Sequence, residues 1–390
     1  MSLVKNKESF DTKTWICAIL LFIISFPKFV WGMGANVMLF AQFLLFFICL
    51  SDIKNNKQNG TCIAAFCIQA VFVWIYSFTD ALNLYGVILS VFNGLSFVTI
   101  FFCSPKFWRS CIDCFIRILS FLLLFSLIEH ILISYFELDI PYTIIDECPI
   151  NPGRSYFSYI FNVHLEGWST YFSRFCAFYD EPGVLGNIVL VLLFLQKFDL
   201  KKWYNIILLI SGLLSFSLTF YIGLCAFYII SGSARTKISF SIIAAILIYL
   251  LAGNEYIDRY LFGRLAIEDG SLVGYNREQM EFDTFFDSLN LSDYLFFGYS
   301  PRSEIVYAAS WKWALVLYGV IPSVLYFLLT QLRNLRSLPH KEDLFKAIVL
   351  AVIIWIQRPF IHLYIYALLF VIPSIYYLAG DDVKINNEES

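Results

Sequence analysis

Ten residues, RFCAFYDEPG at positions 174–183, place one guanidinium and two carboxylates directly ahead of an apolar run. Arg174 carries a planar fork of donors suited to a carboxylate or a phosphate. Asp180 and Glu181 are candidates for a general base acting on a hydroxyl, with Glu181 preferred. Pro182 suits the first position of a helix, which puts Glu181 at or beside its N-cap. Free backbone N–H groups there favour an anionic ligand such as pyrophosphate. The plainer alternative is that Asp180 and Glu181 only answer the helix dipole while Arg174 reaches lipid headgroups. Both readings require the helix to start at a membrane surface.

The elements that must hold these residues follow from composition. The 390 residues are 59% hydrophobic and 15% charged, with 41 Phe and 24 Tyr, against roughly 25% charged in a soluble domain. Apolar runs recur from residue 14 to residue 379, and each crossing of a hydrocarbon core about 30 Å thick uses roughly 20 residues. The pattern predicts an all-α polytopic membrane protein of about 12 transmembrane helices, a single integral domain over 1–390. The spans fall near 14–32, 36–51, 61–78, 85–103, 111–136, 183–196, 203–214, 219–231, 238–252, 309–330, 344–357 and 360–379. The first run follows the polar segment MSLVKNKESFDTKT and shows no small-residue cleavage pattern, so it reads as a retained span. The basic connections QKFDLKK, SGSARTK and RNLRSLPHKEDLFK belong inside, which puts both termini in the cytoplasm.

Two hairpins then reach in from the inner side. SGLLSFSLTFYIG, at 211–223, carries Ser215, Ser217, Thr219 and Tyr221 at its tip. The whole hairpin, 203–231, has 29 residues, so each arm is only about 21 Å long at 1.5 Å per residue and the tip lies below the outer surface. Irregular backbone at that depth must be buried in protein or line a wet cavity. AVIIWIQRPFIHLYIY, at 351–366, repeats the pattern, with Arg358 and Pro359 at the tip and His362 one turn on. An arginine at membrane depth costs at least about 2.5–3.5 kcal/mol on insertion scales, and is a functional candidate for that reason. The two tips form the expected floor of an outward-facing cavity.

Its walls are two long outer loops, 137–182 and 253–308. On this topology the outer face holds Arg154, Arg174, Arg259, Arg264, Arg277, Arg302 and Arg358, but of lysines only Lys28 and Lys312. Topology alone needs positive charge of either kind, so the bias to arginine points to bidentate recognition of phosphate or carboxylate. The alternative is that these arginines pair with surface acids. In the second loop, NREQMEFDTFFDSL reads as an amphipathic helix with Phe282, Phe285, Phe286 and Leu289 on one face. That loop has no His, Cys or Asp-x-Asp pair, so no metal and no other cofactor is expected. Cys148 and Cys176 can pair if the outer compartment is oxidising. Cys111 and Cys114 read as ordinary reduced residues at the inner edge of a span.

These motifs in this order resemble the bacterial O-antigen polymerases (Wzy): an arginine, an aromatic stretch and Glu-Pro before a span, a short Ser-rich hairpin, then a large outer loop followed by a span with Tyr318–Gly319. The resemblance covers residues 138–330. In some members ten residues separate an arginine from a glycine in each large loop; Arg259 and Gly270 fit that spacing, and Arg174 does not. The related ligases typically carry a functional His in the large loop, which this chain lacks.

The resemblance implies a membrane glycosyltransferase of lipopolysaccharide or surface-polysaccharide biosynthesis in the bacterial inner membrane. Its substrate would be an oligosaccharide on undecaprenyl diphosphate at the periplasmic face. A chain-length regulator would be a possible partner, and nucleic acid would not. Arg174, Arg264, Arg277 and Arg358 are assigned to the departing diphosphate. Arg259, Arg302, Ser217, Tyr221 and His362 are assigned to substrate binding, and Asp180 and Asp269 stand behind Glu181 as base. An O-antigen ligase and a lipid-linked oligosaccharide flippase are the alternative functions. A flippase predicts charges along the spans and two similar halves, whereas this sequence concentrates its charge at outer loops and hairpin tips and shows no internal repeat.

Overall fold

The run PGVLGNIVLVLLFL is apolar on every side, so it is stable only where every side is covered. In a computed structural model it forms a helix, Pro182–Leu195, buried at every position but Gly183. The structure describes residues 11–34, 36–55, 60–77, 84–146, 154–167, 173–231, 267–268, 271–272, 280–300, 304–305, 310–331 and 341–376, with residues 238, 249 and 255 singly. The expected span at 238–252 lies outside these, apart from two of its residues.

In chain order the described helices are α1 (Thr12–Ile24), α2 (Asn36–Asn55), α3 (Gly60–Ser77), α4 (Leu84–Ser96), α5 (Val98–Phe102), α6 (Pro105–Ser134) and α7 (Pro182–Leu195). There follow α8 (Trp203–Leu214), α9 (Leu218–Ser231), α10 (Met280–Ser288), α11 (Leu291–Tyr294), α12 (Trp311–Tyr318), α13 (Val320–Gln331), α14 (Lys341–Gln357) and α15 (Tyr364–Tyr376). α15 is buried at every position. It packs against α6, α7 and α14, while α8 and α9 close on α7.

Around this centre stand longer helices with exposed apolar side chains, among them Phe40 and Phe47 on α2, Ile63 and Trp74 on α3, and Phe121 and Ile128 on α6. Asn36–Lys54, Gly60–Ser77 and Pro105–Ser134 are long and apolar enough to cross a membrane, and a fourth span results if α12 and α13 count as one. The protein is thus mostly helical and has the helices of a membrane protein. The other apolar helices are shorter than a full span. One reason is breakage: the run expected at 14–32 stops at Ile24, where Phe26 takes a φ of 56°. Another is that the run at 309–330 bends by 107° at Gly319.

That bend is held by hydrogen bonds. Tyr299 N–H donates to the Val316 carbonyl (2.7 Å) and Ile321 N–H to the Leu295 carbonyl (2.9 Å), so the segment 295–299 occupies backbone groups that the bend releases. Gly298 and Gly319 both have positive φ, and a Cβ on Gly298 would lie 2.1 Å from the Leu317 carbonyl oxygen. The predicted amphipathic helix exists as α10, with Phe282 fully buried and Asp283 paired to Lys312 at 3.1 Å.

The all-α expectation needs one correction. The first large loop folds into a three-stranded antiparallel sheet, β1 (Thr143–Ile145), β2 (Tyr156–Ser158) and β3 (Val163–Leu165), and a short pair, β4 (Ile267–Glu268) and β5 (Ser271–Leu272), lies in the second. Strands of two or three residues are too brief to show a period of two. The β2–β3 turn is gripped from both sides. Glu129 on α6 accepts from the N–H groups of Ile160 (2.9 Å) and Phe161 (2.8 Å), and from the Asn162 amide (3.0 Å). Lys28 Nζ donates to the carbonyls of Tyr159 and Asn162 and to Ser158 Oγ.

Candidate functional site

From the sheet the chain runs through a buried strap, Phe175–Tyr179, into α7. The strap is fixed by its backbone: Phe175 N–H donates to the Leu214 carbonyl (3.0 Å), and the Ala177 and Phe178 carbonyls accept from Val163 (2.8 Å) and Lys28 (2.8 Å). Ala177 turns with a φ of 53°. This delivers Asp180 and Glu181 to the start of α7.

Glu181 is the N-cap residue, yet its side chain caps nothing. Its two oxygens go to two arginines: Oε1 accepts from Arg154 Nη1 at 2.7 Å, and Oε2 accepts from Arg358 Nη2. Arg358 follows the last residue of α14 and is buried, whereas Arg154, just before β2, is nearly half exposed. The Arg358 charge, followed by that of Arg154 and opposed by burial, holds the Glu181 carboxyl down at about 2. Asp180, one residue earlier, is pushed up to about 6 by burial and by the Glu181 charge, with Arg358 pulling the other way.

Asp180 and Arg358 line one cavity of about 320 Å³, together with His362, Tyr76, Asn93 and Gln42. His362 stacks on Tyr76 at 3.6 Å, and its Nδ1 lies 2.5 Å from the Tyr318 hydroxyl at the bend between α12 and α13. The structure therefore brings Asp180, Glu181, Arg358 and His362 together, and adds Arg154 and Tyr318. Arg154 stands in the sequence only as one of the outer arginines, because nothing local ties it to Glu181. Tyr318 carries a weak one, since the glycine after it marks a possible break in the run.

Arg174, Ser217 and Tyr221 form a second group on the flank of α7. Arg174 Nε donates to the Ser215 carbonyl (3.3 Å) and Nη2 to the Phe216 carbonyl (3.0 Å), at the end of α8. Phe216 has a φ of 46°, the left-handed turn that ends many helices and is usually given to glycine. Tyr221 donates to the Leu213 carbonyl (2.8 Å), and Ser217 N–H to Ser215 Oγ (3.2 Å). The tip sits against α7 so closely that a Cβ on Gly186 would meet Ser217 Cβ at 2.4 Å.

Cys176 is a buried free thiol, and burial pushes it well up from the usual range. Asp269, Arg259, Arg264, Arg277, Arg302 and Cys148 lie outside the described residues. Cys111 and Cys114 are buried and free, as expected. No protein-family model, no curated protein and no solved structure matches this chain.

Proposed function

We propose that this protein is a membrane glycosyltransferase that polymerises a surface polysaccharide. It moves the growing glycan from undecaprenyl diphosphate to the next lipid-linked repeat unit at the outer face of the bacterial inner membrane. On this reading the chain crosses twelve times with both termini in the cytoplasm, and a chain-length regulator is a partner. The observation that carries the proposal is the convergence of a buried carboxyl, Asp180, and a buried guanidinium, Arg358, in one cavity. The order of motifs shared with the O-antigen polymerases adds to it.

The reaction needs a base and a cationic seat for the leaving group. The acceptor hydroxyl oxygen forms a bond to the anomeric carbon, while the bond from that carbon to the diphosphate oxygen breaks and its electron pair stays with the diphosphate. The hydroxyl proton passes to Asp180, whose raised proton affinity suits a base working near neutral pH. Glu181, tied to two arginines, is a far weaker base, so the role moves to its neighbour. Arg358 and Arg154 face the charge that develops on the diphosphate. Arg174 is assigned to holding the hairpin tip that supports α7.

The test is the polymer ladder of cells that carry variants at normal protein levels. Asp180→Asn and Arg358→Lys should each collapse long chains to single repeat units on the surface. A flippase defect would remove surface polymer altogether, and unchanged long chains in both variants would end the proposal.

A further inference from the structure

Arg154 and Arg358 each give Glu181 one contact, from Nη1 and from Nη2. Two forks able to hold an anion in bidentate fashion thus share one carboxylate. The remaining donor capacity is visible on Arg358, whose Nε–H is buried and has no partner among the described residues. A buried donor left unmade is costly and calls for an explanation. A diphosphate has more oxygens and more charge than a carboxylate, and can serve both forks and the Nε–H together.

Glu181 can also leave. Its side chain is a quarter exposed and Arg154 is nearly half exposed, so the outer side of the pair is open. A place for the released carboxylate is at hand, because Glu181 already stands at the N-cap of α7 with its side chain turned away from the first-turn amides.

We infer that the Glu181 carboxylate is a built-in stand-in for a diphosphate: the ligand takes Arg154 and Arg358, and Glu181 swings away to cap α7. This rests on the diphosphate reading above and adds a control to it. Until a diphosphate arrives, Arg358 keeps a counter-charge and does not stand uncompensated in the interior. Once it arrives, the cations are committed to the leaving group next to Asp180. The ion pair between Glu181 and its arginines is therefore the resting state of the seat.

The experiment measures binding to the full chain in nanodiscs of zwitterionic lipid, by calorimetry, with three probes: inorganic pyrophosphate, farnesyl diphosphate and phosphatidylglycerol. Removing the internal competitor with Glu181→Gln should tighten both diphosphates by roughly tenfold to a hundredfold over the wild type. Adding Arg358→Gln to it should abolish the gain. Where Glu181→Gln does not purify, Glu181→Ala makes the same comparison. Equal affinities in wild type and variant overturn the exchange and leave the polymerase reading untouched. Tightening confined to phosphatidylglycerol overturns the diphosphate assignment in favour of a lipid headgroup. Tightened diphosphate binding in a protein that polymerises nothing keeps the exchange and retires the polymerase.

Discussion

Asp180 and Glu181 are adjacent in the chain, and their carboxyls are driven in opposite directions. Burial and the neighbouring charge raise Asp180 to about 6, while Arg358 and Arg154 lower Glu181 to about 2. Two carboxylates with separated proton affinities have separable roles.

The pH profile of chain extension should carry the mark of Asp180. A base must be deprotonated, so the rate measured with purified protein and lipid-linked repeat units should fall about tenfold per pH unit below about 6. Glu181 stays ionised over that range and adds no limb. A profile that is flat between pH 5 and pH 8 would count against Asp180 as the base.

Stability should move the other way from activity at the same position. The folded protein holds the Asp180 proton more tightly than the ordinary value of 3.8, so the stability this group contributes is full below about 4 and is lost as pH rises through about 6. Asp180→Asn is neutral throughout. It should therefore raise the stability at pH 7.5 by an amount on the order of 1–3 kcal/mol, seen as a higher unfolding temperature, while abolishing activity. The gain should vanish near pH 4, and thermal unfolding at both pH values checks it.

Arg174→Ala removes the donors that hold the Ser215 and Phe216 carbonyls. Hydrogen bonds from a charged group are worth about 1.5–3 kcal/mol each, so the loss should show in thermal unfolding and in protease cleavage at the α8–α9 tip. Arg174→Lys offers a single point of donors where a fork is needed, and should recover only part of it. If both variants unfold like the wild type but lose activity, Arg174 belongs with the substrate and not with the tip.

Gly186→Ala forces a methyl group into Ser217, whose Cβ and Oγ stand 2.4 Å and 2.6 Å from the new atom. Overpacking of this kind costs about 1–3 kcal/mol. Ser217→Gly on the same chain should give much of it back. A double variant no more stable than Gly186→Ala alone would show that the tip does not bear on α7 there.

The helix boundaries nearest the site were open to sequence reasoning because local chemistry sets them. Pro182 begins α7, the short arms at 203–214 and 218–231 fall where the basic connections require, and Arg358 follows the end of α14. Who pairs with whom was not open to it. Arg174 and Glu181 are seven residues apart and look like partners, yet one reaches the tip of a hairpin and the other reaches Arg154 and Arg358. These choices are made by packing between segments far apart in the chain, which no local pattern encodes. The Lys28 and Glu129 clasp was within reach: a glutamate inside an apolar span is a candidate by its cost alone. The small sheet was not, since its strands are too short to repeat.

Glu181 and Arg358 are separated by 177 positions, and α15, the last helix described, closes the face of α7. During synthesis α7 leaves the ribosome long before Arg358, the buried one of its two arginine partners, and its covering helix exist. Until then the Glu181 carboxylate has only the half-exposed Arg154 as a partner, and one apolar face of α7 stays unfilled until translation passes residue 376. The Glu181–Arg358 pair is thus completed by the final stage of assembly, and a nascent chain carries Asp180 and Glu181 before the buried arginine that faces them exists. A ribosome stalled before Arg358 should therefore display an α7 that exchanges its amide protons freely, and release of the completed chain should protect them.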